Sequence, residues 1–253
     1  MSNLEVSGLT KQFGGVKAVD DVSFSIRAGT VHAVIGPNGA GKTTLFNLIT
    51  GIYAPSAGEV RFDGRLLAGA EPHELAQLGM SRTFQNLQVC LNMPAIENVM
   101  VGAHLRLSQS LWSSLLHLPG LRRADRECRA QAAELMDFVG IGAFRGAHAS
   151  QLPYGVLKRL EIARALAARP KMLLLDEPAA GLNDTETREV EALIRRIAAG
   201  GTTVVLVEHD MKLVMNLSDH ILVLDHGRKL AEGTAAEVRV NPDVIAAYLG
   251  TAE

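Results

Sequence analysis

Short apolar runs alternate along the chain with longer stretches of helical spacing. Val31-His32-Ala33-Val34-Ile35 runs straight into a glycine-rich turn, and Thr43 to Ile49 beyond it has helical character. Lys171 to Leu175, Thr203 to Val207 and Ile221 to Leu224 read as further buried strands, because strands covered on both faces are continuously apolar. Ahead of the turn, Leu4 to Leu9 and Val22 to Ile26 alternate apolar and polar residues, and Val60-Arg61-Phe62 stops at Asp63-Gly64, a hairpin-turn pair. The pattern predicts an α/β domain with a largely parallel sheet and a small antiparallel sheet on its flank.

From about Pro94 to Gln151 the strand signals stop, and Glu127 to Val139 places apolar residues at helical spacing beneath a charged face. This predicts a helical insertion. Within it, the apolar stretch Leu111 to Pro119 precedes Arg122, Arg123, Arg126 and Arg129. It reads as a short helix packed on its own subdomain with a solvated basic face, a partner or membrane-surface contact being the alternative. Asn241-Pro242 can open a last short helix through Tyr248-Leu249.

Composition narrows the class. The 253 residues allow one large domain or two small ones, and the 25 Lys and Arg against 27 Asp and Glu, net −2, argue against a generally basic nucleic-acid binder. No apolar run approaches the ~18 residues that span a bilayer. The start, Met1-Ser2-Asn3-Leu4-Glu5, has no basic segment leading into an apolar one, so secretion is not expected. Cys90 and Cys128 lack zinc-ligand or redox spacing and read as two reduced cytosolic thiols.

The chemistry is concentrated in two places. Gly36-Pro37-Asn38-Gly39-Ala40-Gly41-Lys42-Thr43 fits glycine, four residues, then glycine, lysine and serine or threonine, set between a strand and a helix. The glycines let backbone N–H groups turn around a polyphosphate, Lys42 brings a point charge, Thr43 can ligate Mg²⁺, and the helix N-terminus adds its dipole. A glycine-rich turn with no ligand would not need Lys42. The second place is the end of an apolar strand at Asp176-Glu177, which delivers two carboxylates. Asp176 suits the metal, directly or through water, and Glu177 suits polarisation of an attacking water at the γ-phosphate. No Asn-Lys-x-Asp guanine-reading motif is present, which disfavours a GTPase.

These residues, with Arg82-Thr83-Phe84-Gln85-Asn86, Leu152 to Leu166 and Glu208-His209-Asp210 in the same order, resemble the ATP-binding subunits of ATP-binding-cassette (ABC) transporters over nearly the whole chain. The ATPases of branched-chain amino acid importers look most similar, through Thr44-Leu45-Phe46-Asn47 after the phosphate loop, Leu160-Glu161-Ile162-Ala163-Arg164, Asp176 to Asn183 and the ending Asp243 to Gly250. The resemblance implies a single ABC nucleotide-binding domain over 1–253: a P-loop core, a flanking antiparallel sheet, a helical subdomain over about 86–157 and a helical tail over about 241–253. It also implies roles. Phe13 would stack on adenine, Gly36 to Thr44 would hold the phosphates, and Gln85 would reach Mg²⁺ and the attacking water. His209 would hydrogen-bond the γ-phosphate, and Ala180 to Asn183 would cross a dimer interface, Asn183 standing where many relatives have aspartate.

One motif departs from the family pattern. Leu152-Pro153-Tyr154-Gly155-Val156 stands where the signature is usually Leu-Ser-Gly-Gly-Gln, or has tyrosine third. Tyr154 and Gly155 would still meet the partner's ATP. Proline at the serine position removes a hydroxyl and an N–H, each charge-assisted bond being worth about 1.5 to 3 kcal/mol. Alternatively the Gly155 amide and the helix dipole suffice and the change is neutral.

The resemblance implies ATP hydrolysis that powers uptake of branched-chain amino acids or a similar small solute through separate transmembrane permease subunits. A periplasmic or extracellular solute-binding protein would take part indirectly, and no nucleic acid is expected. The subunit would sit peripherally on the cytoplasmic face of the plasma (inner) membrane. Its ATPase partner is expected to be a different subunit with an intact signature, a homodimer being the alternative. An ABC exporter ATPase of the lipopolysaccharide type and a soluble non-transport ABC ATPase remain the other readings.

Overall fold

The computed structural model describes residues 2–104 and 119–249. The chain up to Met80 and from Lys171 onward forms one compact unit, and Ser81–Pro170 forms a second. The second unit is wider than the 86–157 insertion read from the sequence.

The first unit holds two sheets. β1 (Ser2–Phe13), β2 (Val16–Arg27), β4 (Ala57–Phe62) and β5 (Arg65–Leu66) form an antiparallel sheet in the order β2-β1-β4-β5. Asp63 and Gly64 both take positive φ, 48° and 75°, which is what the tight β4–β5 turn demands. The other sheet runs β10-β9-β3-β8-β7-β6, with β3 at Val31–Ile35, β6 opening at Met80, β7 at Met172–Asp176, β8 at Thr203–Val207, β9 at His220–Asp225 and β10 at Arg228–Gly233. β3, β7, β8 and β9 are parallel, while β10 returns antiparallel to β9. Every residue of β3, β7 and β8 is buried, as the continuous apolar runs predict.

Register decides what this sheet can present. Val34 and Asp176 both lie opposite Val207, so the chain leaves β3, β7 and β8 at one edge. That carboxyl-end edge is where open α/β sheets bind ligands. Beneath it, α1 (Lys42–Ile49) buries Leu45, Phe46, Leu48 and Ile49 in a core shared with Leu4, Leu9, Phe62, Leu174 and Val205. α2 (Pro72–Leu78) packs Leu75 into the same core. After β7, α6 (Asp184–Ala199) buries Val190, Leu193, Ile194 and Ile197, one face at helical period. α7 (Met211–Leu217), α8 (Ala235–Arg239) and α9 (Pro242–Leu249) complete the described part of this unit.

The second unit carries α3 (Ala95–Gly102), α4 (Pro119–Phe138) and α5 (Tyr154–Leu166). α3 and α5 approach closely at Gly102, where a Cβ would lie 1.9 Å from the Arg164 carbonyl oxygen. The apolar stretch Leu111 to Pro119 lies almost wholly outside the described residues. Among the described residues, no helix is long and apolar enough to cross a membrane.

Candidate nucleotide site

Glycine geometry shapes the loop after β3. Gly36 has φ +153° and no room for a side chain, a Cβ there falling 2.1 Å from the Leu224 carbonyl oxygen. Gly41, the α1 N-cap, is left-handed at φ +97°, and its Cβ would lie 2.3 Å from the Ala18 carbonyl oxygen on β2. Gly39 differs. Its φ is +80°, but nothing lies within 4 Å of where a Cβ would project, so this part of the loop faces open space. Asn38, Gly39 and Thr43 are exposed, Pro37, Lys42 and Thr44 partly so, and Ala40 is buried, its carbonyl accepting from the Gly227 N–H at 3.1 Å. The loop is thus pinned from behind and open in front.

Lys42 Nζ donates to the carbonyls of Gly36 at 2.6 Å and Pro37 at 2.9 Å, holding the ammonium over the loop. Burial pushes its pKa down, opposed by the carboxylates of Glu177 and Asp176. Asp176 ends β7 and is 5% exposed. Glu177 follows at φ +48°, a conformation that costs a non-glycine residue about 1–2 kcal/mol, and its N–H bonds the Val207 carbonyl at 2.9 Å. The turn therefore aims the Glu177 carboxylate away from the direction the strand would have given it. His209 Nδ1 lies 4.0 Å from Glu177 Oε1.

Between β8 and His209 stands Glu208, 1% exposed, whose carboxylate accepts the N–H of Ala179 at 2.9 Å and of His209 at 3.1 Å. Burial raises its pKa against those two bonds. It ties the loop after β7 to the loop after β8, a role the sequence reading missed, although a charge ending a continuous apolar run is a visible signal. A cleft of about 400 Å³ opens beside them, lined by Ala180, Gly181, Leu182, Glu208, His209 and Asp210 among others. Asn183 caps α6 by accepting from Thr185 and Glu186 N–H, both at 3.0 Å; an aspartate there would cap equally well.

Phe13 closes the β1–β2 hairpin opposite Val16, on the same ribbon whose Ala18 backs Gly41. Its ring is 44% exposed and meets Tyr53 edge-on at 5.3 Å, with Lys11 Nζ 5.1 Å from its centroid. An exposed aromatic face on a cation-bearing hairpin is suited to stacking a base. Tyr248 of α9 sits beside the Gly36 backbone, and burial pushes its phenol up to about 12; the sequence reading gave it no part.

In the second unit, Gln85 is exposed in an irregular segment after β6. Pro153 is the N-cap of α5, at φ −57° and ψ 152° with no side-chain cap bond, and Val156 makes the helix's first N–H bond, to the Pro153 carbonyl at 3.0 Å. The amides of Tyr154 and Gly155 precede that bond and belong to the anion-seeking end of the helix. Tyr154 is 45% exposed, with Lys158 Nζ 5.8 Å from its ring centroid.

This arrangement can hold a polyphosphate on backbone N–H groups and a lysine, with two carboxylates and a histidine at the same sheet edge. Residues 19–180 match the ABC transporter family, and residues 228–253 match the branched-chain amino acid ATP-binding cassette transporter family. The chain belongs to the ABC transporter family. It is accordingly an ATP-binding, ATP-hydrolysing transporter subunit. It is 48% identical to the high-affinity branched-chain amino acid transport ATP-binding protein BraF of Pseudomonas aeruginosa, over 98% of each chain. Identity to LivG of Escherichia coli, described in the same terms, is 45% over 98% of each. A solved nucleotide-free ATP-binding cassette from an ABC transporter superposes on this cassette with TM-score 0.86 at 33% identity, covering 98% of this chain and 99% of that one. A dimeric bacterial ABC transporter cassette gives 0.78 at 25% identity, covering 92% and 98%.

Proposed function

We propose that the cassette powers the uptake of branched-chain amino acids, or a closely similar small solute, through separate transmembrane permease subunits. The observation that carries this is the similarity to BraF and LivG over 98% of each chain. The match of residues 228–253 to the branched-chain amino acid cassette family supports it. A solute-binding protein delivers the solute to the permease, and the cassette works at the cytoplasmic face of the inner membrane as a peripheral subunit.

ATP lies with its adenine against Phe13 and its phosphates on the N–H groups of Gly36 to Thr44, where the open front of Gly39 leaves room. Lys42 exchanges the Gly36 and Pro37 carbonyls for phosphate oxygens. The oxygen donors of Thr43 and Asp176 suit a hard cation, and Mg²⁺ held by them would neutralise charge on the phosphates. Glu177 takes the proton of the attacking water as general base, and His209 donates to the γ-phosphate. Tyr154 and Gly155 close over the ATP of a second ABC ATPase subunit. That subunit is a different chain with an intact signature, because Pro153 leaves this α5 without a hydroxyl or N–H at its N-cap.

Reconstitution with the permease and the companion ATPase tests this. ATP-dependent uptake of labelled leucine, competed by isoleucine and valine, is expected. Uptake insensitive to all three, or turnover by this chain alone at the rate of the complex, contradicts it.

A further inference from the structure

The segment that carries Gln85 is neither helix nor strand from Thr83 to Cys90. Within its own unit, two buried polar side chains grip it. Glu161, in the middle of α5 and 6% exposed, accepts the N–H of Phe84 at 3.5 Å and of Gln88 at 3.3 Å on the same carboxylate oxygen, Oε1. These amides flank Gln85 on either side. Further along, Asn98 of α3, 1% exposed, accepts the Cys90 N–H at 2.8 Å and donates to the carbonyls of Cys90, Met93 and Pro94 at 3.1, 3.4 and 3.2 Å.

A glutamate amid Leu160, Ile162 and Ala163, all buried, is a costly choice for helix packing alone. Burial raises its pKa, while the two amides, Lys158 and Arg164 favour the charged form. The helix that begins at Tyr154 and Gly155 thus holds the Gln85 segment through one carboxylate. We propose that Glu161 is a positioning residue: with Asn98 as the second anchor, it locks the Gln85 segment to α5, so that the side chain expected to reach the attacking water moves together with the helix expected to meet the partner's ATP. The inference rests on the reading of Gln85 given above.

Two measurements decide it. Residue-resolved hydrogen exchange on the full chain reads the clamp without any catalytic assumption. Exchange at Phe84 and Gln88 should be about tenfold faster in Glu161→Ala and about threefold faster in Glu161→Gln, which keeps an oxygen acceptor, while the buried Leu174 amide stays protected in both. Should Glu161→Ala not fold, Glu161→Gln carries this arm. Unchanged exchange at both amides overturns the clamp.

In the assembled transporter, Glu161→Ala should lower kcat about tenfold at unchanged KM for ATP, Glu161→Gln should recover most of the loss, and Glu161→Ala should cost nothing further in a Gln85→Ala background. An equal loss in both backgrounds overturns the link to Gln85. Wild-type turnover by Gln85→Ala instead overturns the role of Gln85, and the exchange result still decides the clamp.

Discussion

The loop at Gly36–Thr43 and the segment around Gln85 are both irregular stretches expected to touch the same reaction, yet they are held in different ways. The phosphate loop is fixed mostly by main chain, the Lys42 ammonium adding bonds to two of its own carbonyls. Gly36 and Gly41 are pressed against the carbonyls of Leu224 and Ala18, and the Ala40 carbonyl accepts from the Gly227 N–H. The Gln85 segment is instead fixed by side chains, Glu161 and Asn98, reaching out of helices. Main-chain packing has two discrete outcomes, fitting or clashing. A side-chain anchor can be loosened in steps, which suits the part of an ATPase that must move between states.

The contrast breaks most severely at Gly36. Gly36→Ala places a Cβ 2.1 Å from a backbone oxygen at a φ of +153°, and should abolish ATP binding in calorimetry along with much of the folded protein. Gly39→Ala should cost only about 1–2 kcal/mol in thermal unfolding, since its Cβ meets nothing, but it fills the front of the loop and should weaken ATP binding. Equal unfolding costs at the two positions would remove the claim that the loop is pinned only from behind.

Next in size is the carboxylate at the turn. Glu177→Gln should retain ATP binding and lose about 10²- to 10⁴-fold in turnover. Turnover within a few-fold of wild type rejects it as general base.

In the first unit, a buried histidine of the parallel sheet adds an acid-sensitive element. His32 is 5% exposed in β3, and burial, with His220 beside it, lowers its pKa to about 4 from 6.5. The folded state refuses a proton that the unfolded chain accepts. Stability is therefore unaffected above pH 6.5 and falls as the pH drops from there to about 4, by about 3 kcal/mol. His32→Val should remove that part of the acid loss in denaturant titrations. A wild-type and variant difference that does not change between pH 7 and 4 contradicts it.

The smallest effect is expected at the α5 N-cap. Pro153→Ser restores a hydroxyl and an N–H, and should tighten ATP-driven association with the companion subunit by about tenfold, measured by sedimentation. No change would mean that the Gly155 amide and helix dipole already suffice.

What could be read from the sequence follows the same division. The phosphate loop, Asp176-Glu177 and the buried strands were legible because their signals are local: glycine spacing, an apolar run, a carboxylate pair at its end. β10 escaped because Arg228-Lys229-Leu230-Ala231-Glu232-Gly233 is a half-exposed edge strand with no apolar run. In the sequence Glu161 is one residue of a motif, and its purpose depends on amides 77 and 73 residues away in the chain. Glu208 likewise gains meaning only where β7 and β8 end side by side. No periodicity encodes such tertiary pairings.

Whether ATP seated at Lys42 powers solute uptake is read from leucine uptake by the reconstituted transporter with Lys42→Ala in this subunit, paired with calorimetric titration of the purified variant. Loss of ATP binding at this site and a collapse of uptake are expected. Undiminished uptake alongside lost binding would contradict this.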